Sequence, residues 1–255
     1  MSRIEDALNK MKAERAAAPA PASKTPAPET PALVANAGSM RIDDRIAAFH
    51  RPGTAFTENL KHTVIRAVAR GSAATLGFTS AEKGEGKSIV ALNFAVAFAY
   101  DCEGTVCVVD GDLRNPTIHK LVGVSNGTGF SEMLDGSAPA DGTHALPTPL
   151  ERLFILTAGK IPTNPSELLG SKRAAQVIAE LRSRFDYLIF DTAPVLPAAD
   201  TIHLASHLEG VVVVVEAGRT KRKQVARAVD LLGSANILGF ILNKIERDKS
   251  IKDYQ

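Results

Sequence analysis

The chain has 255 residues, 45% of them hydrophobic, and a formal net charge of +2. That length admits one large domain or two small ones, and so small a charge supplies no drive toward nucleic acid. No apolar run is long enough to span a bilayer, and the charged N-terminus lacks the apolar core of a secretory signal, so the sequence reads as cytoplasmic. Residues 1–15 have the pattern of a short amphipathic helix, with Ile4, Leu8 and Met11 on one face. An apolar stripe without a core beside it fits either a docking peptide or a fraying terminus. Residues 16–40 are rich in Ala and Pro and read as a flexible linker. A folded domain is expected over residues 41–248, followed by a flexible tail over 249–255.

Within that domain, strand-like and helix-like segments alternate. Strands are expected at Ala73–Phe78, Gly104–Asp110, Leu153–Thr157, Tyr187–Asp191, Gly210–Glu216 and Ile237–Asn243. Most are continuous apolar runs, which predicts a sheet covered on both faces. Helices are expected from Ile89 to Ala99, over Lys172–Phe185 and over Lys221–Leu232, and one starts at Asn164-Pro165-Ser166-Glu167, with Asn164 as its cap. The alternation predicts an α/β domain: a doubly wound, mostly parallel sheet in three α/β/α layers. Ligands of such sheets bind at the carboxyl ends of the strands.

The segment Gly77-Phe-Thr-Ser-Ala-Glu-Lys-Gly-Glu-Gly-Lys-Ser88 joins the first strand to its helix. Strand, glycine-rich turn, Lys-Ser and helix is the order a P-loop NTPase phosphate cradle requires, because backbone N–H groups and the helix dipole then face the phosphates. Lys83, Gly84, Glu85, Gly86, Lys87, Ser88 and Ile89 would form this cradle, with Ala81 where the usual pattern has its first glycine. Lys87 can reach the β- and γ-phosphates, and the Ser88 hydroxyl can bind Mg²⁺. Asp110 and Asp112 follow the second strand and Asp191 ends the fourth. On one sheet edge the three acids would face a triphosphate, an arrangement that a magnesium ion makes favourable.

Other features carry less. The basic run Arg219-Thr-Lys-Arg-Lys223 reads as a solvated helix start. His203 and His207 have helical spacing but no recognisable partner, and Cys102 and Cys107 match no zinc or redox pattern, so they read as buried thiols.

These motifs together resemble the bacterial tyrosine kinases of capsule and exopolysaccharide synthesis, within the P-loop branch that also holds MinD- and ParA-type ATPases. Ser80–Ser88 is similar to their Walker A segment, with Lys83 in place of a proline. Asp110-Gly-Asp-Leu-Arg114 resembles their Walker A′ segment, and Asp191-Thr-Ala-Pro194 their Walker B segment. Gly129-Phe-Ser-Glu-Met-Leu, the Asn164-Pro-Ser-Glu-Leu-Leu stretch and Leu238-Gly-Phe-Ile-Leu-Asn-Lys add to the likeness, which runs from about Thr54 to Glu246. The MinD/ParA signature lysine would stand at Glu82, which favours the kinase branch.

The resemblance implies ATP and Mg²⁺ as cofactors. Lys87 and Ser88 would hold phosphates and metal, Asp112 and Asp191 would support the metal, and Asp110 would orient or deprotonate the acceptor tyrosine. Arg114 would steady charge at the phosphates or anchor its loop. Asn243 would read adenine, with Glu246 in place of a guanine-reading aspartate. A membrane chain-length-determinant (co-polymerase) partner is implied, at the inner face of the membrane, and a homo-oligomer is possible within the family. Tyr254 is the one tyrosine in the tail, where the family carries a cluster, and Glu58, Lys61 and Val64 replace the family's ring-forming Glu-x-x-Arg-x-x-Arg. Two functions stay open: a tyrosine autokinase, or an ATP-hydrolysing switch on the same machinery. A DNA-positioning ATPase is the weaker third.

Overall fold

Apolar runs too long to tolerate a wet face build the centre of this protein, in a computed structural model that describes residues 40–54, 57, 60 and 75–245. In chain order the elements are α1 (Ala47–His50), β1 (Thr75–Ser80), α2 (Lys87–Asp101), β2 (Val106–Asp110), α3 (Ile118–Val122), α4 (Phe130–Asp135), β3 (Leu146–Pro147) and β4 (Leu153–Leu156). They continue with α5 (Pro165–Leu169), α6 (Lys172–Arg184), β5 (Tyr187–Asp191), α7 (Asp200–Ala205), β6 (Gly210–Glu216), α8 (Arg222–Leu232) and β7 (Ile237–Asn243). The N-terminal helix, most of the linker, Glu58, Lys61, Val64, Glu246 and the tail with Tyr254 lie outside the described residues.

The seven strands form one sheet in the order β3-β4-β2-β5-β1-β6-β7. All pairs are parallel except β3 with β4. Alternate residues divide the core between two faces, as the two-residue strand period requires. Phe78, Val108, Ile189 and Val212 pack with α1, α2 and α3 on one side. Val109, Phe190 and Leu188 pack with α4 and α6 on the other, where Val211 and Val213 meet α8. This is the doubly wound, three-layer arrangement expected from the alternation. Helix α2 is apolar around its whole girth because it lies buried over the sheet centre, with Phe94 against Phe78 at 4.8 Å between ring centroids.

Two local expectations need correction. The first strand runs two residues further than the apolar run suggested, because Thr79 and Ser80 pair with Val213 and Val214 and are buried despite their hydroxyls. Asn164 holds the N-cap position of α5 and Pro165 the first helical position, as expected, but the Asn164 side chain makes no capping bond and its amide donates to Glu167 at 3.2 Å. Register then sets the functional edge. Asp110 stands level with Asp191, and Asp191 with Phe78, so the acid-bearing ends of β2 and β5 lie abreast next to the start of the glycine-rich loop. Phe78→Ala removes a fully buried ring from the layer that supports this edge; a loss of about 3–5 kcal/mol in denaturant unfolding is expected.

Candidate active site

The loop after β1 turns sharply into α2, and its shape is fixed from several directions. Gly86 caps α2 with φ +91°, a left-handed conformation that side-chain-bearing residues avoid, and a Cβ there would strike the Asn243 amide. Glu85 is buried inside the turn, where its carboxylate accepts the Glu82 N–H at 2.8 Å and the Thr220 hydroxyl. Asn243 at the end of β7 donates to the Glu85 carbonyl at 2.9 Å. Lys244 donates to the Gly84 carbonyl at 2.7 Å and to Glu216 at 3.0 Å, from a backbone held at φ +55°. Lys83 is exposed and lines a cavity of about 360 Å³ with Arg219 and Lys221, separate from the acids.

Lys87 opens α2 and points at the sheet edge. Its ammonium lies 2.9 Å from Asp112, 3.4 Å from Asp191 and 3.4 Å from the Ser88 hydroxyl. Asp110 accepts the N–H groups of Thr117 and Ile118 on one carboxylate oxygen, both at 3.0 Å. Its second oxygen, and the second oxygen of Asp191, are buried with no hydrogen-bond partner. Thr117 also donates to Ser88 at 3.0 Å. Asp110 and Asp191 are fully buried and Asp112 almost so, so one ammonium faces three carboxylates out of water. Burial, reinforced by the Asp191 charge, pushes Asp110 up to about 8. Burial also holds Asp191 above the ordinary carboxylate range, although Lys87 opposes it. For Lys87, burial works against the charge, yet Asp191 and Asp112 outweigh it and hold the amine above its usual value.

Such a site is short of positive charge. The orphaned, buried Asp191 oxygen, with Asp112 and the Ser88 hydroxyl around the same ammonium, fits a hard divalent cation that takes oxygen ligands. Among the described residues no group of three or more His, Cys, Asp or Glu is arranged to hold a metal alone.

Lys87, Ser88, Asp110, Asp112 and Asp191 thus come together, and Asn243 meets the loop from the side. Arg114 does not join the acids: its guanidinium grips Asp200 at 2.6 and 3.1 Å and reaches Ser166 at 3.2 Å, an arrangement that anchors its loop. Asp200, Thr117 and Thr220 escaped the sequence reading, since an acid or threonine near a helix start carries no signal beyond capping. The basic run starts α8 as expected.

Comparison with known proteins agrees with this geometry. A family model described as "ParA: NUBPL iron-transfer P-loop NTPase" matches residues 73–246. The chain is 38% identical over 168 residues to the tyrosine-protein kinase YwqD of Bacillus subtilis, covering 65% of this chain and 70% of that one. The chain belongs to the bacterial tyrosine kinases. It is also 34% identical over 182 residues to the putative tyrosine-protein kinase CapB of Staphylococcus aureus, across 71% of this chain and 79% of the relative. Among solved structures, the kinase domain of the Escherichia coli tyrosine kinase ETK superposes with a TM-score of 0.74 at 27% identity, covering 82% of this chain and 84% of that one. The fold of this kinase is therefore the ParA-type P-loop fold. No helix among its described residues is long and apolar enough to cross a membrane.

Removing the ammonium should expose the cost of the acid cluster. Lys87→Met is expected to lose about 3–5 kcal/mol of nucleotide-free stability at pH 8. The folded-state values of Asp110 and Asp191 lie above their unfolded ones, and for Asp110 the folded state binds more protons between about 4 and 8. Stability of the variant should accordingly rise as pH falls through that window. Urea unfolding at pH 8 and pH 5.5 measures both effects.

Proposed function

We propose that this kinase transfers the γ-phosphoryl group of ATP to tyrosine hydroxyls, Tyr254 of its own tail among them, and that this regulates exopolysaccharide polymerisation and export. The observation that carries the reading is the convergence of Lys87, Ser88 and three buried acids at the mouth of a phosphate cradle. In this reading the N–H groups of residues 83–89 receive the phosphates, and Lys87 exchanges its acid partners for the β- and γ-phosphates. Ser88, Asp112 and Asp191 would hold Mg²⁺, which supplies neutralisation of the charge developing on the phosphates. Asp110, fixed through one oxygen, has the other free to take the phenolic proton as the bond from phosphorus to ADP breaks and that to tyrosine forms. Arg114 serves the reaction by holding its loop, and Asn243 combines a hold on the cradle with an amide suited to an adenine edge.

The kinase would work at the inner face of the membrane through a chain-length-determinant partner. Residues 1–15 are a candidate docking helix, tethered by the 16–40 linker to a 41–248 catalytic domain.

Full-length protein incubated with γ-labelled ATP, Mg²⁺ and a fragment of the activating partner should acquire label on tyrosine. Lys87→Ala should abolish it and Tyr254→Phe should reduce it. Asp110→Asn should slow transfer by about 100-fold or more while ATP still binds. Release of ADP without labelled tyrosine would instead favour the nucleotide switch.

A further inference from the structure

Asp112 lies in the loop after β2 and Asp191 at the very end of β5, where its own loop begins, and like charges push two such segments apart. Helix α7 lies against both. Asp200, 1% exposed, receives the two-pronged grip of Arg114 from the Asp110–Arg114 loop, and also accepts the Ser166 hydroxyl of α5. Thr201 donates to the Ala193 carbonyl, which also receives the Thr79 hydroxyl of β1 at 2.8 Å, and so binds the loop after Asp191. Leu204, one turn on, sits where the two loops touch. A Cβ on Gly111 would lie 2.9 Å from the Leu204 side chain and 3.0 Å from the Asp191 carbonyl, to which the Gly111 N–H donates at 2.7 Å. Within five residues of sequence, α7 therefore fastens the loop of Asp112, the loop of Asp191 and the seam between them. None of its three side chains is bonded to Lys87 or to the acids themselves.

We propose that the first turn of α7 is a clamp that sets the spacing of Asp112 and Asp191 for the magnesium nucleotide, with Asp200 as its principal positioning residue. This rests on the metal-nucleotide reading above and assigns a role to residues that touch neither nucleotide nor metal. A bidentate carboxylate–guanidinium pair is directional, and here its carboxylate is buried, so it resists displacement of the Arg114 loop in a way that a point charge does not. Supporting residues behind metal ligands change metal affinity by about 10–100-fold when removed. The loop after Asp191 also meets the start of the cradle, through the Val195 and Leu196 N–H groups on the Ser80 and Ala81 carbonyls, but the glycine-rich turn at residues 82–86 has its own contacts through Glu85, Asn243 and Lys244 and should depend on α7 far less than the acids do.

The test is binding of a fluorescent ATP analogue to the full chain, measured by anisotropy with Mg²⁺ and again with EDTA. The quantity read is the factor by which Mg²⁺ strengthens binding. In Asp200→Asn that factor should fall about tenfold, with affinity in EDTA unchanged. Arg114→Lys, whose side chain is partly exposed and keeps its charge, should show the same selective loss, and the double variant should lose no more than either single one. Near-ultraviolet circular dichroism confirms the fold of each; if Asp200→Asn does not fold, Arg114→Lys and Leu204→Ala decide alone. An unchanged magnesium factor in the folded variants, or equal losses with and without Mg²⁺, overturns the clamp. A wild-type chain that binds the analogue without any magnesium effect would count against the metal-nucleotide reading itself, whatever the variants do.

Discussion

A single ammonium group, buried against two carboxylates with a third beside them, organises this protein. Lys87 is 9% exposed, and Asp110 and Asp191 are not exposed at all. Burying so many charges is costly, and one lysine does not balance them. The arrangement makes physical sense as a site shaped for a cation and an anion together, with a buried, unpartnered oxygen on Asp191 suited to the cation. Proteins accept such local destabilisation where function requires it and offset it elsewhere.

Much of the rest of the fold can be read as support for that edge. The parallel register sets Asp110 level with Asp191. Helix α2 delivers Lys87 from its first residue, over a core layer anchored by Phe78 and Phe94. The cradle itself is fastened from the far side of the sheet by Asn243 and Lys244 at the end of β7, and from within by Glu85. The glycine-rich turn is thus held chiefly from the ends of β6 and β7 and the acid-bearing end of the site chiefly by α7, with the Ser80 and Ala81 carbonyls joining the two through Val195 and Leu196.

The parallel strands were legible because they write themselves as unbroken apolar runs, whereas the two-residue antiparallel β3 was not. Tyr187–Asp191, Gly210–Glu216 and Ile237–Asn243 coincide with β5, β6 and β7 residue for residue. Lys87, Ser88 and the three acids were legible because chemistry fixes their order after strand ends. What was not legible depends on contacts between segments distant in sequence. Thr79 and Ser80 look like loop residues until β6 is laid beside them. Asn164 stands where a cap should, yet its amide turns to Glu167. Arg114 fits a phosphate ligand or a loop anchor equally well until Asp200, 86 positions later, captures its fork. The short helices α3, α4 and α7 have too few residues to show a period, so the helix that clamps the acids left no trace in the pattern.

The account stands or falls on where Lys87 goes when nucleotide arrives. A crystal structure with Mg²⁺ and a non-hydrolysable ATP analogue measures this directly. The account predicts that the Lys87 ammonium leaves Asp112 for oxygens of the β- and γ-phosphates, and that the metal sits beside Ser88 with Asp112 or Asp191 bound to it or to its waters. A nucleotide bound elsewhere, with the Lys87–Asp112 pair intact, would contradict it.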